Sequence, residues 1–296
     1  CGLARALKKY IDLEIDEVSV DQKSLFRNLV DHIHYFLLPA KDGTEHSKAD
    51  LVIGTGSRTH IPILSWKKRH GGYAITCMSP SSFIQNHFDL CFIPFHDRHP
   101  SRPNIVETIG PPNISAGESA HEEDKSMILV GGVDKRSHQW DDKKLLNDIQ
   151  QLVRRAPTHH WTISSSPRTP EGTDDMVRTF VEKESNVHYI SFADTTSGWV
   201  EEQYSVNKSV WVTGDSISMV YEALSAGCSV GIIPVDWNRK ANKFRYSLEY
   251  LVNSKRVITL DQYLEGEQLC RETPPLNESD RCAREIVKRW WPENLQ

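Results

Sequence analysis

Residues 212–223 read VTGDSISMVYEA, and residues 224–234 continue with LSAGCSVGIIP. An apolar stretch, a polar turn, a helix-like stretch and a second apolar stretch follow one another, which predicts a strand, a turn, a helix and a strand. Asp215, Ser216 and Ser218 lie at the first strand-to-helix junction. In a parallel sheet this junction lies at the carboxyl edge, where helix N-termini offer free N–H groups to phosphates. The stretch therefore predicts a parallel α/β unit with a nucleotide at this edge.

The alternation of strands and helices continues through most of the chain. In the second half it predicts strands at residues 127–130, 159–164, 187–190, 209–213, 229–234 and 257–260. In the first half it is less regular, with predicted strands at residues 14–20, 50–53, 73–78, 90–93 and 105–108 and predicted helices at 24–38 and 61–69. The fold class is therefore α/β, with two doubly wound Rossmann-like domains.

A proline- and glycine-containing break separates the two halves. Residues 110–117 read GPPNISAG and an acidic run follows at residues 122–124, which is typical of an interdomain linker. We expect an N-terminal domain at 1–112, a linker at 113–125, a C-terminal domain at 126–278 and a final helix at 279–296. Residues 1–10 have a helical pattern with no strand before it, so we expect the first strand of the N-terminal domain to be missing.

Composition excludes several function classes. The net charge is −5 and the pI is about 6.2, so no basic surface indicates nucleic-acid binding. The apolar runs have the length of strands and none reaches the roughly 20 residues of a membrane span. The six cysteines show no Cys-x-x-Cys spacing, which favours reduced thiols. We expect a cytoplasmic protein, and a peripheral association with the inner membrane stays open.

Several motifs together resemble the ELM-type mitochondrial fission protein family. They lie at residues 56–59, 88–90, 94–97, 103–105, 131–132, 166–170 and 213–223. The similarity extends from about Cys1 to Leu260, and residues 213–223 are its most specific part. The resemblance implies a fold similar to GT-B glycosyltransferases, in which the two domains face a cleft and the C-terminal helix crosses back to the first domain. In the plant branch of the family, members help to recruit dynamin-related proteins to mitochondria.

The residues at the start of the helix predicted after Asp215 have two interpretations. The hydroxyls of Ser216 and Ser218 either cap the helix alone or also donate to phosphate oxygens. Glu222 lies one helical turn after Ser218 on the same face. The GT-B resemblance implies that Glu222 holds ribose hydroxyls, and a solvated helix glutamate is the alternative.

Two further turns carry candidate residues for binding a nucleotide sugar. Ser166, Arg168 and Thr169 follow a predicted strand. The planar guanidinium of Arg168 suits a diphosphate, because it can donate two parallel hydrogen bonds. The alternative is a turn of purely structural function. Gly131 and Gly132 follow another strand and either let a ligand approach the backbone or relieve crowding between domains.

The first domain carries candidate acceptor-side and catalytic residues. Gly56, Arg58 and Thr59 form a flexible turn before a helix, where they could face an acceptor or the transferred sugar. His96 and Asp97 follow a predicted strand and could serve as a general base and its orienting acid. A purely structural pair is the alternative, and Asp215 is the competing base.

No motif indicates a metal or a cofactor. The sequence has no Walker loop, no Gly-x-Ser-x-Gly elbow, no His-x-x-x-His and no Asp-x-Asp. We therefore predict a metal-independent glycosyltransferase without a cofactor, whose partners are a nucleotide-diphosphate sugar and an unknown acceptor. A non-catalytic GT-B-fold interaction protein of the ELM type is the main alternative, and a nucleotide-sugar epimerase is the third.

Overall fold

The computed structural model describes residues 2–20, 35–37, 49–97, 99–113, 120–238, 243–270 and 274–295. The chain divides into two compact units. The first comprises Cys1–Ile114 together with Glu278–Gln296, and the second comprises Ser115–Asn277. Each unit contains its own parallel β-sheet with helices packed on it, in agreement with the predicted α/β class.

The first unit contains a sheet of four parallel strands in the order β1-β2-β3-β4. These strands are β1 (Leu51–Gly54), β2 (Tyr73–Thr76), β3 (Leu90–Pro94) and β4 (Ile105–Thr108). The helices described in this unit are α1 (Gly2–Leu7), α2 (His60–His70) and, at the end of the chain, α9 (Glu278–Trp290). Helix α2 contacts β1 and β2, whereas α1 contacts α9.

The core of the first unit explains why the last helix lies in it. Leu3 and Leu7 of α1 are buried together with Phe92 of β3 and with Ile286 and Val287 of α9. Fully burying a side chain of this size contributes about 1.5–3 kcal/mol. The apolar stripe of α9 is therefore matched by apolar residues of α1 and the sheet.

The predicted strand at residues 14–20 is wrong. Residues 12–20 have no regular secondary structure, and the Ile15 and Val18 side chains are 38% and 78% exposed. Alternating polar and apolar residues favour a strand only where a neighbouring strand pairs with the backbone, and the described residues provide none here. Most of the helix predicted at residues 24–38 lies outside the described residues.

The second unit contains a sheet of six parallel strands. They are β5 (Glu122–Leu129), β7 (His160–Ser164), β8 (Val187–Ile190), β9 (Asn207–Thr213), β10 (Ser229–Ile233) and β12 (Ile258–Thr259). Their order is β12-β10-β9-β5-β7-β8. The strand order reverses between β5 and β9, and this reversal creates the switch point at which doubly wound sheets bind ligands.

Five of the six helices described in the second unit connect these strands, and the sixth, α8, follows β12. They are α3 (Asp142–Arg155), α4 (Glu171–Val181), α5 (Trp199–Val206), α6 (Ile217–Ser225), α7 (Lys243–Asn253) and α8 (Leu260–Leu264). Asp141 caps α3 by accepting hydrogen bonds from the N–H groups of Lys143 and Lys144, each at 3.0 Å. A short antiparallel pair, β6 (His138–Gln139) and β11 (Asp236–Trp237), lies outside the main sheet.

Two element boundaries differ from the sequence expectations. Strand β5 begins at Glu122, inside the predicted linker, because Glu122 pairs with Asn207 and Lys125 pairs with His160. An acidic run is therefore compatible with the exposed start of a paired strand. The sequence predicted a polar loop at residues 194–198 and no helix between it and β9. Helix α5 lies there and starts after Gly198, whose φ of 88° favours glycine.

Candidate functional site

Three loops meet at the carboxyl edge of the second unit. Gly131 and Gly132 follow β5, residues 165–169 follow β7, and residues 214–216 follow β9. Strands β7, β5 and β9 are direct neighbours, so the loops that leave them meet at the switch point. We call these residues the three-loop cluster.

Asp215 lies at the centre of the three-loop cluster. Its side chain is 1% exposed, and its Oδ2 accepts hydrogen bonds from the Gly132 N–H at 3.0 Å, from Arg168 Nη2 at 2.8 Å and from the Ser216 hydroxyl at 3.4 Å. The second carboxylate oxygen, Oδ1, is buried and has no hydrogen-bond partner among the described residues. A buried acceptor of this kind costs free energy unless a donor reaches it.

Arg168 connects the same loops. Its Nη1 donates to the Gly132 carbonyl oxygen at 3.0 Å, and its Nη2 donates to Ser216 Oγ at 3.0 Å as well as to Asp215. The Arg168 side chain is 42% exposed. A guanidinium has five N–H donors, and these three bonds leave two of them for other partners. Arg168 therefore fixes the loops and still presents a charged face.

The two glycines are required by the packing of the three-loop cluster itself. A Cβ at Gly131 would lie 2.2 Å from Asp215 Oδ2, and a Cβ at Gly132 would lie 2.1 Å from the backbone carbonyl of Arg168. From the sequence, the two glycines were expected either to let a ligand approach or to relieve crowding between domains. Within the second unit, their close neighbours are its own loops, and the ligand-binding role stays a prediction.

Ser166 and Thr169 close the cluster from the β7 side. The Ser166 hydroxyl donates to the Gly131 carbonyl oxygen at 2.8 Å, and the Ser166 N–H donates to Thr169 Oγ1 at 2.8 Å. The Thr169 hydroxyl also donates to the Gly131 carbonyl oxygen. Thr213, which the sequence did not single out, accepts from the Gly131 N–H at 2.7 Å through its hydroxyl. Its only sequence signal is a polar residue at the end of an apolar strand.

The N-terminus of α6 is not capped by the Ser216 side chain, although both interpretations of the sequence expected this cap. Ser216 occupies the N-cap position, but its side chain makes no capping hydrogen bond. The reason is competition, because the Ser216 hydroxyl is engaged by Arg168 and Asp215. Ser218 is exposed in the first turn. The first N–H groups of α6 are thus left without a side-chain cap from Ser216, which is the arrangement that suits an anion.

Glu222 lies further along α6 in a different environment. Burial, followed by repulsion from Glu201, raises the pKa of the Glu222 carboxyl to about 7, and a hydrogen bond with Tyr204 opposes the shift. Glu201 and Tyr204 belong to α5, the helix that the sequence did not predict. Glu222 therefore lies against α5, whereas the hydrogen bonds described above for the three-loop cluster do not include it.

The first-unit candidates lie at the carboxyl edge of their own sheet. Gly56, Arg58 and Thr59 follow β1, and His96 and Asp97 follow β3. Gly56 has a φ of 93°, and the Thr59 hydroxyl donates to its carbonyl oxygen at 2.8 Å. Arg58 is exposed. Their predicted acceptor-side and catalytic roles, and the grouping of His96 and Asp97 with Asp215, stay predictions.

The described residues contain neither a candidate metal site nor a helix suited to crossing a membrane. No group of three or more His, Cys, Asp or Glu side chains in the described ranges is arranged to hold a metal ion. None of the helices described for the chain combines the length and the apolarity that crossing a bilayer requires.

Solved structures of similar fold include proteins that act on sugars. A proposed UDP-N-acetylglucosamine 2-epimerase from Listeria monocytogenes is 11% identical with a TM-score of 0.51, and the match covers 99% of this chain and 80% of that one. MnaA of S. aureus, solved with UDP, is 12% identical with a TM-score of 0.47, covering 94% and 82%. The pneumococcal O-GlcNAc transferase GtfA, solved with UDP and GlcNAc, is 11% identical with a TM-score of 0.43, covering 84% and 57%. At these identities the likeness concerns the fold alone, which is GT-B-like.

Comparison of the sequence with families is more specific. No curated protein matches the chain significantly. The profile of the family described as Mitochondrial fission ELM1 matches residues 1–290, which is nearly the whole chain. The chain therefore belongs to the mitochondrial fission ELM1 family.

Proposed function

We propose that the protein is a glycosyltransferase that binds a nucleotide-diphosphate sugar at the three-loop cluster, without a metal ion. The observation that carries the proposal is the N-terminus of α6, which lacks a cap from Ser216 and lies beside Arg168 at the switch point of the sheet. Backbone N–H groups and a partly exposed guanidinium form a suitable environment for a diphosphate.

In this proposal the cluster acts mainly by stabilising the leaving group. The acceptor hydroxyl attacks the anomeric carbon, the bond from that carbon to the diphosphate oxygen breaks, and the nucleoside diphosphate leaves with the bonding electron pair. The first N–H groups of α6 and the two remaining donors of Arg168 would stabilise the negative charge that develops on the diphosphate. Ser216 and Asp215 would hold Arg168 in place for this task.

The proton of the acceptor hydroxyl needs a base. Asp215 offers a buried oxygen, Oδ1, that has no hydrogen-bond partner among the described residues, but its other oxygen is neutralised by Arg168. His96 with Asp97 is the second proposed base, and Gly56, Arg58 and Thr59 form the proposed acceptor side. Glu222 is proposed as the ribose ligand, with its ionised form favoured only above a pH of about 7.

One observation favours a second candidate, a non-catalytic interaction protein. The contacts of Arg168, Ser166 and Thr169 hold the three loops together without any ligand. A cluster of this kind also serves a fold that has lost catalysis, and the membership of the mitochondrial fission ELM1 family is compatible with this role. The two candidates differ in whether a nucleotide binds.

Thermal unfolding with UDP, GDP and CDP, each in the presence of EDTA, tests the proposal. A ligand at about 100 times its Kd stabilises the folded state by about 2.7 kcal/mol. That corresponds to a Tm increase of about 5–10 °C for a unit of this size. A nucleotide-binding protein shows this increase with at least one of the nucleotides. A flat response to all of them contradicts the transferase and supports the non-catalytic alternative.

An added negative charge at the start of α6 locates the binding site. Ser218→Asp adds a carboxylate to the exposed first turn, which favours the helix but repels a diphosphate. We expect the thermal shift by the nucleotide to disappear while the Tm of the free protein does not fall. Thr179→Asp adds the same charge to an exposed position of α4 and is the matched control, which should keep the shift.

A further inference from the structure

Helices α5 and α6 of the second unit meet through two pairs of residues. Glu201 and Tyr204 lie three residues apart on α5, so they share one face of that helix. Met219 and Glu222 have the same spacing on α6. The Tyr204 hydroxyl donates to the Met219 carbonyl oxygen at 3.4 Å, which is a long bond, and the Glu222 carboxyl is its second hydrogen-bond partner. Tyr204 is therefore the contact through which α5 reaches Glu222.

The position of Tyr204 is fixed through its backbone and by burial. Its carbonyl oxygen accepts hydrogen bonds from His121 Nε2 at 3.1 Å and from the Cys228 thiol at 3.4 Å, and the residue is 3% exposed. Burial, followed by the charges of Glu222 and Cys228, raises the pKa of the Tyr204 hydroxyl well above its usual range. The hydroxyl therefore keeps its proton at neutral pH and acts as a hydrogen-bond donor.

Two groups of α5 act on Glu222 in opposite directions. Burial is the largest cause that raises the pKa of the Glu222 carboxyl to about 7, and repulsion from Glu201 adds to the rise. The hydrogen bond from Tyr204 stabilises the carboxylate and opposes the rise. Because Glu201 and Tyr204 both belong to α5, this helix determines on which side of neutral pH Glu222 ionises.

Glu222 lies on the helix whose N-terminus begins the proposed nucleotide site. It follows Ile217, the first residue of α6, by five residues, which is about 7.5 Å along the helix axis. In a nucleotide the ribose is the next group after the diphosphate, so a diphosphate at the start of α6 would bring the ribose toward Glu222. An ionised carboxyl accepts hydrogen bonds from ribose hydroxyls through both oxygens, whereas a neutral carboxyl carries a proton on one of them.

We propose that Tyr204 and Glu201 are positioning residues for ribose recognition, which act through Glu222 and set the pH above which the protein distinguishes a ribonucleotide from its 2′-deoxy form. The inference rests on the proposed function, because it takes Glu222 as the ribose ligand. Hydrogen bonds to an ionised acceptor are roughly twice as strong as neutral ones. The preference for ribose is therefore large above neutral pH and small below it, and neither residue of α5 needs to touch the nucleotide.

Calorimetric titration of the full chain with UDP and with 2′-deoxy-UDP, from about pH 5.5 to about pH 8.5, measures this preference. The matched GDP or CDP pair replaces them if that nucleotide gives the larger thermal shift. The diphosphate is the same in both ligands, so its own protonation cancels in the ratio of the two Kd values. We expect 2′-deoxy-UDP to bind about tenfold more weakly than UDP at the upper pH and about twofold more weakly at the lower pH.

The outcomes of this titration separate the inference from the proposed function. A ratio of Kd values that does not change with pH, while UDP binds, would overturn the inference and leave the proposed function intact. No binding of any of the three nucleotides at any pH would overturn both. The ionisation of Glu222 is also measurable without a nucleotide, from the ¹³C NMR signal of its side-chain carboxyl, which the Glu222→Gln variant lacks. We expect this signal to titrate near pH 7.

Two conservative variants should move the midpoints of both pH dependences in opposite directions. Tyr204→Phe removes the donor to the Glu222 carboxylate and should raise the midpoints, whereas Glu201→Gln removes the repelling charge and should lower them, each by about 0.3–1 pH unit. Glu202→Gln removes the same charge from a neighbouring exposed position of α5 and is the matched control, which should leave the midpoints unchanged. Midpoints that stay in place in Tyr204→Phe and Glu201→Gln, or that move in the same direction, would overturn the inference.

Discussion

The carboxyl edges of the two sheets carry the predicted site residues, and they use their polar groups differently. In the second unit, three loops bond to one another around Asp215, whose side chain is 1% exposed. In the first unit, the turn after β1 is held by the bond from Thr59 to Gly56, while Arg58 is exposed. The comparison teaches that the edge of the second unit is fixed by its own side chains, whereas the edge of the first unit presents Arg58 to solvent. Substitutions should therefore lower the stability of the fold strongly at the edge of the second unit and weakly at the edge of the first unit.

The largest expected effect is that of Asp215→Ala. It removes three hydrogen bonds and leaves the Arg168 guanidinium without its carboxylate. Breaking a buried ion pair costs about 3–5 kcal/mol, and the partial exposure of Arg168 places the expected loss near 3 kcal/mol. Urea denaturation measures it. The exposed Asp175→Ala is the control and should change the unfolding free energy by less than about 0.5 kcal/mol. Equal effects of both variants would remove the contrast between the edges.

The next largest effects are expected for substitutions of one glycine at each edge. Gly132→Ala places a Cβ against the Arg168 backbone and should cost about 2–3 kcal/mol. Gly56→Ala meets no atom within 4 Å, but its φ of 93° with a ψ of 152° lies in a region that is essentially limited to glycine, so we expect a loss of about 1–2 kcal/mol. Chemical denaturation of the two variants compares them directly. A greater loss for Gly56→Ala would mean that the first edge, not the second, is the more constrained.

Glu222 gives a pH-dependent prediction within the second unit. Its carboxyl pKa is raised from 4.5 to about 7 in the folded protein, mainly by burial, so the neutral form is favoured by folding. The stability associated with this group is fully present below pH 4.5 and is lost as the pH rises through about 7. The loss is on the order of 2 kcal/mol, since one pKa unit corresponds to about 1.4 kcal/mol and the group retains some solvent access.

Glu222→Gln isolates this contribution. The variant lacks the titrating carboxyl, so its stability relative to the wild type should increase between pH 5 and pH 8. Unfolding free energies measured across this range give the difference. A difference in unfolding free energy that does not change with pH would show that the pKa of Glu222 is not raised. The environment of Glu222 beside α5 would then resemble that of an exposed carboxyl.

The smallest effect is expected at the first edge. Arg58→Ala removes an exposed side chain and should change the unfolding free energy by less than about 0.5 kcal/mol. Any change in activity with an acceptor, measured at a saturating donor concentration, would then report on the proposed acceptor side. A loss of more than about 1 kcal/mol in stability would show that this edge is also held by its side chains.

The strands of the second unit were predictable because they are buried on both faces. Val210, Val212, Val230 and Ile232 are each at most 1% exposed, and their sequence pattern is continuously apolar. In the first sheet the prediction was correct where strands pair, as at β3. It was wrong at residues 14–20, where pairing is absent among the described residues. Apolar patterning reveals burial but not the availability of a neighbouring strand.

The candidate site was predictable in its residues but not in their contacts. Turn chemistry at strand ends pointed to Gly132, Arg168 and Asp215, since such turns meet at one edge of a parallel sheet. The pairing of Arg168 with Asp215 connects different loops, so local pattern could not reveal it. The same pairing withdrew the Ser216 hydroxyl from its expected capping bond. The location of Glu222 against α5 also depended on a helix in a segment of polar sequence.

The contacts of the three-loop cluster join positions that are distant along the chain. Arg168 is 36 residues from Gly132 and 47 residues from Asp215, and Gly132 is 83 residues from Asp215. Closing segments of this length costs chain entropy before any contact is gained. The cluster therefore depends on the pairing of β5, β7 and β9, which brings these distant positions together. A fragment that ends before residue 215 would lack the three hydrogen bonds that Asp215 accepts.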